Sequence, residues 1–375
     1  MNVLNFSENI TRLRREKKLT QEQLADFVGV TKASVSKWET KQSMPDILLL
    51  PQLAAFFDVT IDELLGYEPQ LSKEQMQKKY LELAASFAKE PFEAVIERVE
   101  KVQKEYYSCY PFLYQLTLLY LNHFMLAEDP KRQQEILEKA LRLCDHILSD
   151  CKEISICNET VVLRAMALLQ LGRAIEVIES LEEIANPVSA ARQSGSVIAQ
   201  AYQLAGESEK ADSFTQINIY NEVVSLVGWS TQYIAIHSDN PAICEETIRR
   251  VELVANAYDL VHLNGNAIAL FWYQAAIMYC THGKKEEAVE YMKSFVKAIE
   301  NLLTQKGPAL HGDSYFSKLN QWIMELEFGG NLPRDKKIIW DSVIKAFEHP
   351  AFAVLADEKS FIEMKEELIC KSKQI

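Results

Sequence analysis

Apolar residues recur every three or four positions along this whole chain. No Val/Ile/Thr-rich segment of strand length, with alternating polarity and turn signals at both ends, stands out against that pattern. A period of 3.6 buries its apolar stripe only as a helix packed on other helices, so the chain reads as all-α. With 12 Gly and 11 Pro in 375 residues, and 48% hydrophobic side chains, collagen-like, low-complexity and mostly disordered classes are excluded. The length suits one small domain and one large one.

The opening segment, Met1 to Lys18, has no uninterrupted apolar run, and its basic residues follow the mixed stretch instead of preceding it. It does not read as a secretory signal, and a cytoplasmic location is expected. Tyr110 to Ala127 and Ala267 to Cys280 are apolar, but the first carries Gln115, Asn122 and His123 and the second has only 14 residues. Buried helices account for both better than membrane spans do. The seven cysteines show no C-x-x-C and no zinc-like spacing with histidine, so reduced core thiols are expected and no metal or cofactor.

Charge divides the chain. Residues 1–46 carry eight Lys or Arg against six Asp or Glu, whereas residues 66–375 carry 32 against 44. The two parts are suited to different partners. A boundary falls at Gly66-Tyr67-Glu68-Pro69, where Gly can end a helix and Pro blocks its continuation; Ser72 and Gln75 then form a capping box. This gives domains at 1–69 and 70–375.

Five short helices are expected before that boundary. In residues 6–17, Phe6, Ile10 and Leu13 share one face and leave Arg12, Arg15 and Lys18 elsewhere. Thr20-Gln21-Glu22-Gln23 is a capping box opening a second helix that buries Leu24, Ala25 and Val28. Gly29 supplies a turn, and Thr31 caps a third helix with Val35 and Trp38 inward and Lys32, Ala33, Ser36 and Lys37 outward. Two short helices joined by a tight turn with Gly make a helix-turn-helix. Pro51 is tolerated only in a first helical turn, so the fourth helix should begin near Leu50 or open with a kinked turn.

The run from Leu19 to Glu39, with Met44-Pro45-Asp46 and the segment Phe57 to Leu65, resembles the Xre/Cro (lambda repressor-like) DNA-binding family over residues 6–65. The resemblance implies that Gln21 contacts phosphate and that the third helix enters the major groove. Lys32, Ala33, Ser36 and Lys37 match its groove-facing positions, with Thr31 at the phosphate-proximal start. Lys41, Gln42 and Ser43 match the loop that approaches the backbone, and Arg14 and Glu39 match an internal, structural ion pair. Physics is compatible with that map: a helix N-terminus attracts phosphate, and every base pair shows a distinct pattern in the major groove. Lys32 and Lys37 either read guanine or neutralise phosphate. Because so small a basic patch binds weakly alone, a homodimer on an inverted-repeat site of double-stranded DNA is expected.

Beyond the boundary the chain repeats weakly. Apolar helix ends turn at Gly172 and Gly206, 34 residues apart, and again at Gly283, 77 residues later, each time restarting with an acidic amphipathic helix. A period of 34 is that of tetratricopeptide helix pairs, which predicts an α-solenoid with a concave surface and one irregular unit in the longer interval. No phosphate loop, H-E-x-x-H or G-x-S-x-G is present, and the seven histidines are scattered, so no enzyme is expected.

This layout resembles the peptide-responsive regulators of Gram-positive bacteria, which implies transcription regulation gated by a signalling peptide or protein partner. By analogy Asn122, Asn158, Asn221 and Asn266 either clamp a peptide backbone or serve as caps and solvent-facing amides. Aromatic groups at Tyr106 to Tyr114 and at Phe271-Trp272-Tyr273 line a pocket or fill the core between repeats. The other function class is a constitutive dimerisation or docking scaffold with no small effector.

Overall fold

The computed structural model describes residues 5–67, 70–181, 194–304 and 309–373. Among them every regular element is helical, and no helix is long and apolar enough to cross a membrane. The first five helices are α1 (Phe6–Glu16), α2 (Gln21–Val28), α3 (Lys32–Glu39), α4 (Leu50–Phe57) and α5 (Ile61–Leu65). They enclose one core, with Phe6, Ile10, Leu24, Val35, Leu53 and Leu64 fully buried. Pro51 sits in the first turn of α4, behind a 3₁₀ turn at Ile47–Leu49 that Asp46 caps, so its missing N–H costs no helical bond. Gly66, at φ 65°, ends α5, and a Ser72–Gln75 capping box opens the next helix.

There follow α6 (Lys73–Ser86), α7 (Phe92–Glu105), α8 (Tyr110–His123), α9 (Pro130–Asp150), α10 (Ile154–Gln170) and α11 (Ala174–Leu181). After residues 182–193 come α12 (Ser194–Leu204), α13 (Ser208–Ile236), α14 (Pro241–Ala257), α15 (Leu260–Leu263), α16 (Gly265–Thr281) and α17 (Lys285–Thr304). The last are α18 (Leu319–Glu325), α19 (Lys336–Ala346) and α20 (Lys359–Ser372). Neighbours in sequence pack as pairs, α8 on α9, α9 on α10, α12 on α13 and α16 on α17. The turns at Gly172, Gly206 and Gly283 all have positive φ, at 74°, 76° and 69°, where glycine alone escapes the Cβ clash. The irregular unit in the longer interval consists of the 29-residue α13, which runs on through Gly228, followed by α14 and the single turn α15.

The core of this region is divided. One apolar cluster, around Tyr80, Ile96, Phe112 and Leu143, joins α6 to α9; another, around Phe271, Met292, Trp340 and Phe352, joins α13 to α20. Residues 325–334 tie the two together: Leu332 packs against the second cluster, while on the side of the first Gln77 donates to the Leu326 carbonyl at 3.0 Å, Tyr80 Oη to the Pro333 carbonyl at 3.0 Å, and the Tyr80 and Phe328 rings lie 4.5 Å apart. Lys73 reaches the Glu325 carbonyl as well. Of the cysteines, 109, 144, 151, 244 and 280 are buried, and burial pushes Cys144 up to about 12 and Cys280 up to about 11. Cys370 departs from the expected core position: it is exposed on α20.

Candidate nucleic-acid interface

The local sequence sets each end of the two helices that would meet DNA. Thr20 accepts from the Gln23 amide while Gln23 reaches back to the Thr20 amide, so two orphan N–H groups at the start of α2 are satisfied. Gly29, at φ 76°, reverses the chain, and Thr31 accepts from Ser34 N at 3.2 Å to open α3. Val35 and Trp38 then fall inward, with Trp38 edge-on to Phe6 at 6.5 Å between centroids. That phase leaves Thr31, Lys32, Ala33 and Lys37 exposed on one side of α3, with Ser36 half-buried between them.

Lys32 lies 3.9 Å from Glu22 on α2, a loose surface pair. In the loop after α3, Lys41 adopts φ 61°, and the amides of Gln42 and Ser43 both bond to the Lys37 carbonyl. This compact turn holds Lys41, Gln42 and Ser43 exposed beside the end of α3. Lys41 is not a bare cation: its ammonium is 2.8 Å from Glu8, whose carboxyl it holds below the usual range by hydrogen bonding and charge.

Behind this face Arg14 grips Glu39 through two bonds, Nε to Oε1 at 2.5 Å and Nη2 to Oε2 at 2.9 Å, and donates to the Leu19 carbonyl at 2.7 Å. Gln21 Nε2 donates to the same carboxylate at 2.9 Å. So Gln21, which the resemblance assigns to phosphate, spends one amide hydrogen inside the protein. Burial by itself raises Glu39, but the bonds from Arg14 and Gln21 and the charges of Arg14 and Arg15 outweigh it and hold the carboxyl below its ordinary value. The bond to Glu39 conversely raises Arg14. The network joins α1, α2 and α3, and fixes the angle at which α3 is presented.

The asparagines separate. The half-buried Asn122 and the exposed Asn266 line one cavity of about 570 Å³, whereas Asn158 and Asn221, also exposed, lie outside it. The cavity lies between α8, α16, α17, α19 and residues 331–334, and it takes in Asn264, Asn331 and Arg334, which no sequence signal singled out. Asn264 caps α16 and donates to Tyr220 Oη at 3.0 Å. Of the aromatic run, Phe271 is fully buried, Trp272 packs against the core and Tyr273 faces the cavity while donating to the Ala346 carbonyl at 3.0 Å. In the earlier group Tyr106 and Phe112 are core, and Tyr107 is exposed and stacked on His146.

The helix-turn-helix family model, described as "Helix-turn-helix", matches residues 10–64. The HTH-type transcriptional activator BcrR of Enterococcus faecalis is 38% identical over 76 residues, 20% of this chain and 37% of that protein. The uncharacterized HTH-type transcriptional regulator YobD of Bacillus subtilis (strain 168) is 32% identical over 81 residues, 20% of this chain and 71% of that protein. The chain belongs to the Xre-type helix-turn-helix transcriptional regulators. It spans little more than a third of the length of BcrR. Among solved structures, the apo form of the competence regulator ComR from Streptococcus vestibularis covers 86% of this chain and 98% of its own at 12% identity. The TM-score of that match, 0.26, is too low to superpose the two folds.

Proposed function

We propose that this chain is a cytoplasmic, non-enzymatic transcription regulator that binds an inverted-repeat operator as a homodimer through residues 1–69. Residues 70–375 form the helical-repeat domain in which a peptide or other ligand modulates that binding. The observation that carries the reading is the face of α3, where Thr31, Lys32, Ala33, Ser36 and Lys37 stand clear of the core beside Lys41, Gln42 and Ser43. A helix of this size fits the major groove, its N-terminus favours phosphate, and the second N–H of the Gln21 amide remains for the backbone. Arg14 and Glu39 act from behind as a brace and do not read bases. Two such faces, related by a two-fold axis, read half-sites about 34 Å apart.

Ligand control draws its support from the cavity, where amides of Asn122 and Asn266 meet apolar walls, an arrangement able to hold a backbone and a side chain together. A second reading, a constitutive dimerisation or docking scaffold, draws on exposed apolar side chains such as Met166, Ile175 and Trp229. For the DNA side, the test is the Lys32→Ala/Lys37→Ala variant on duplexes selected from a random pool by the unaltered protein. Binding should weaken more than about tenfold, and the log-log salt slope should flatten by ~0.9 for each phosphate that is no longer neutralised. The helical circular dichroism should not change. Unaltered binding would overturn the placement of the recognition helix.

A further inference from the structure

Arg334 is the odd cation of this protein. It stands half-buried in the segment that ties the two apolar clusters together, and its polar partner among the described residues is the Met125 sulfur at 4.0 Å. No described carboxylate lies within ion-pair reach of it, whereas Arg14, Arg98, Arg132, Arg164, Arg173 and Arg249 all sit in salt bridges. Burial pushes its guanidinium down, the sign expected of a charge that has lost water without gaining a counter-ion. Such a charge is costly to keep, because desolvation is offset only by a partner.

The surroundings indicate what partner would fit. Arg334 lines the 570 Å³ cavity together with Phe295, Ile299, Leu302 and the half-exposed Leu270. Asn266, exposed at the mouth of the same cavity, leaves its amide open to a ligand there. The volume lies within the ~300–1,000 Å³ typical of small-molecule sites, and apolar walls with a few convergent polar groups are their usual lining. A guanidinium recognises a carboxylate through two parallel bonds.

We infer that this cavity binds an organic carboxylate with an apolar body, the carboxylate on Arg334 and the body against Leu270, Phe295, Ile299 and Leu302. Both the C-terminus of a short apolar peptide and a free medium-chain acid carry this chemistry. The inference deepens the ligand-responsive reading above and rests on it for the consequence of binding, though not for the binding itself. Occupancy would neutralise Arg334 on the segment 325–334, which is bonded to α6 through Gln77 and Tyr80, so the ligand would bear on the contact between the two halves of the repeat region.

The test is calorimetric titration of the full chain with two matched pairs: octanoate against octanol, and N-acetyl-Leu-Leu-Phe with a free against an amidated C-terminus. At least one acid should bind one to one, about tenfold or more tighter than its neutral counterpart, as a charged hydrogen-bonded pair requires. The pair that does so identifies the source. Arg334→Gln should erase the difference within that pair, Arg334→Lys should retain part of it, and Leu270→Ala should weaken both members alike. Saturation by neither acid, equal binding within both pairs, or an advantage that survives in Arg334→Gln overturns the inference. The comparison within pairs on the unaltered protein decides the matter even if a variant misfolds. Acid binding that depends on Arg334 but leaves operator affinity unchanged would instead refute ligand control and leave the site standing.

Discussion

Removing Arg14 tests whether the brace behind α3 carries the stability of the first core. The Arg14 and Glu39 side chains are 12% and 8% exposed, so Arg14→Ala would leave a nearly dry carboxylate with Gln21 and the more distant charge of Arg15. It would also free the Leu19 carbonyl. Breaking a buried pair by deleting one partner costs about 3–5 kcal/mol, and the remaining Gln21 bond argues for the lower end, about 3 kcal/mol. If the residues 6–65 open as a unit, that cost would raise their amide exchange roughly a hundredfold or more. Hydrogen exchange with mass spectrometry on the full chain reads this directly, with peptides from residues 109–151 as the internal reference. Arg14→Met with Glu39→Met should be less damaged than Arg14→Ala, since an apolar pair leaves no stranded charge. The pH dependence has a definite sign. Glu39 is held below its ordinary 4.5, so its contribution is complete above that value and is lost as pH falls through the lower folded value; in Arg14→Ala this acid loss should shrink. A change in exchange of less than about tenfold, or a double variant worse than the single, would refute the reasoning.

Two further outcomes follow from single positions. Gly29→Ala places a Cβ in open space at φ 76° and should cost only the left-handed backbone penalty of ~1–2 kcal/mol. Gly66→Ala, at φ 65°, brings its Cβ to 2.9 Å from Asn5 Cβ and 3.0 Å from Asn9 Nδ2, and should cost more; denaturant melts giving the reverse order would sink this account. His123 is fully buried, stacked on Phe87 and held neutral, its value pushed down by burial to about 4 from 6.5. Its contribution is therefore present above pH 6.5 and lost as pH falls toward 4, up to ~3 kcal/mol, and His123→Phe should flatten that part of the acid titration of stability.

The sequence by itself determined the elements whose causes are local. Helical period, the Thr20 and Ser72 capping boxes, the glycines at 29, 66, 172, 206 and 283, and the tolerance of Pro51 in a first turn all act within a few residues, so they are legible without a fold. The outward phase of Lys32, Ala33 and Lys37 follows from the inward phase of Val35 and Trp38 for the same reason. A family resemblance located the Arg14–Glu39 pair, 25 residues apart, but not the Gln21 bond that joins it.

Only the tertiary structure decided what lies across long separations. The tie between Tyr80 and Pro333 spans 253 positions, and no periodicity encodes which loop a distant helix will meet. The same closure brings Asn122 and Asn266, of the four candidate asparagines, to the wall of one cavity, because a helical position fixes the face of a side chain and packing alone fixes what that face encloses. Arg334 shows the limit most plainly: in the sequence it is one cation beside Asp335, and only the fold gives it its half-buried place among apolar walls, where the nearest described partner is a sulfur atom.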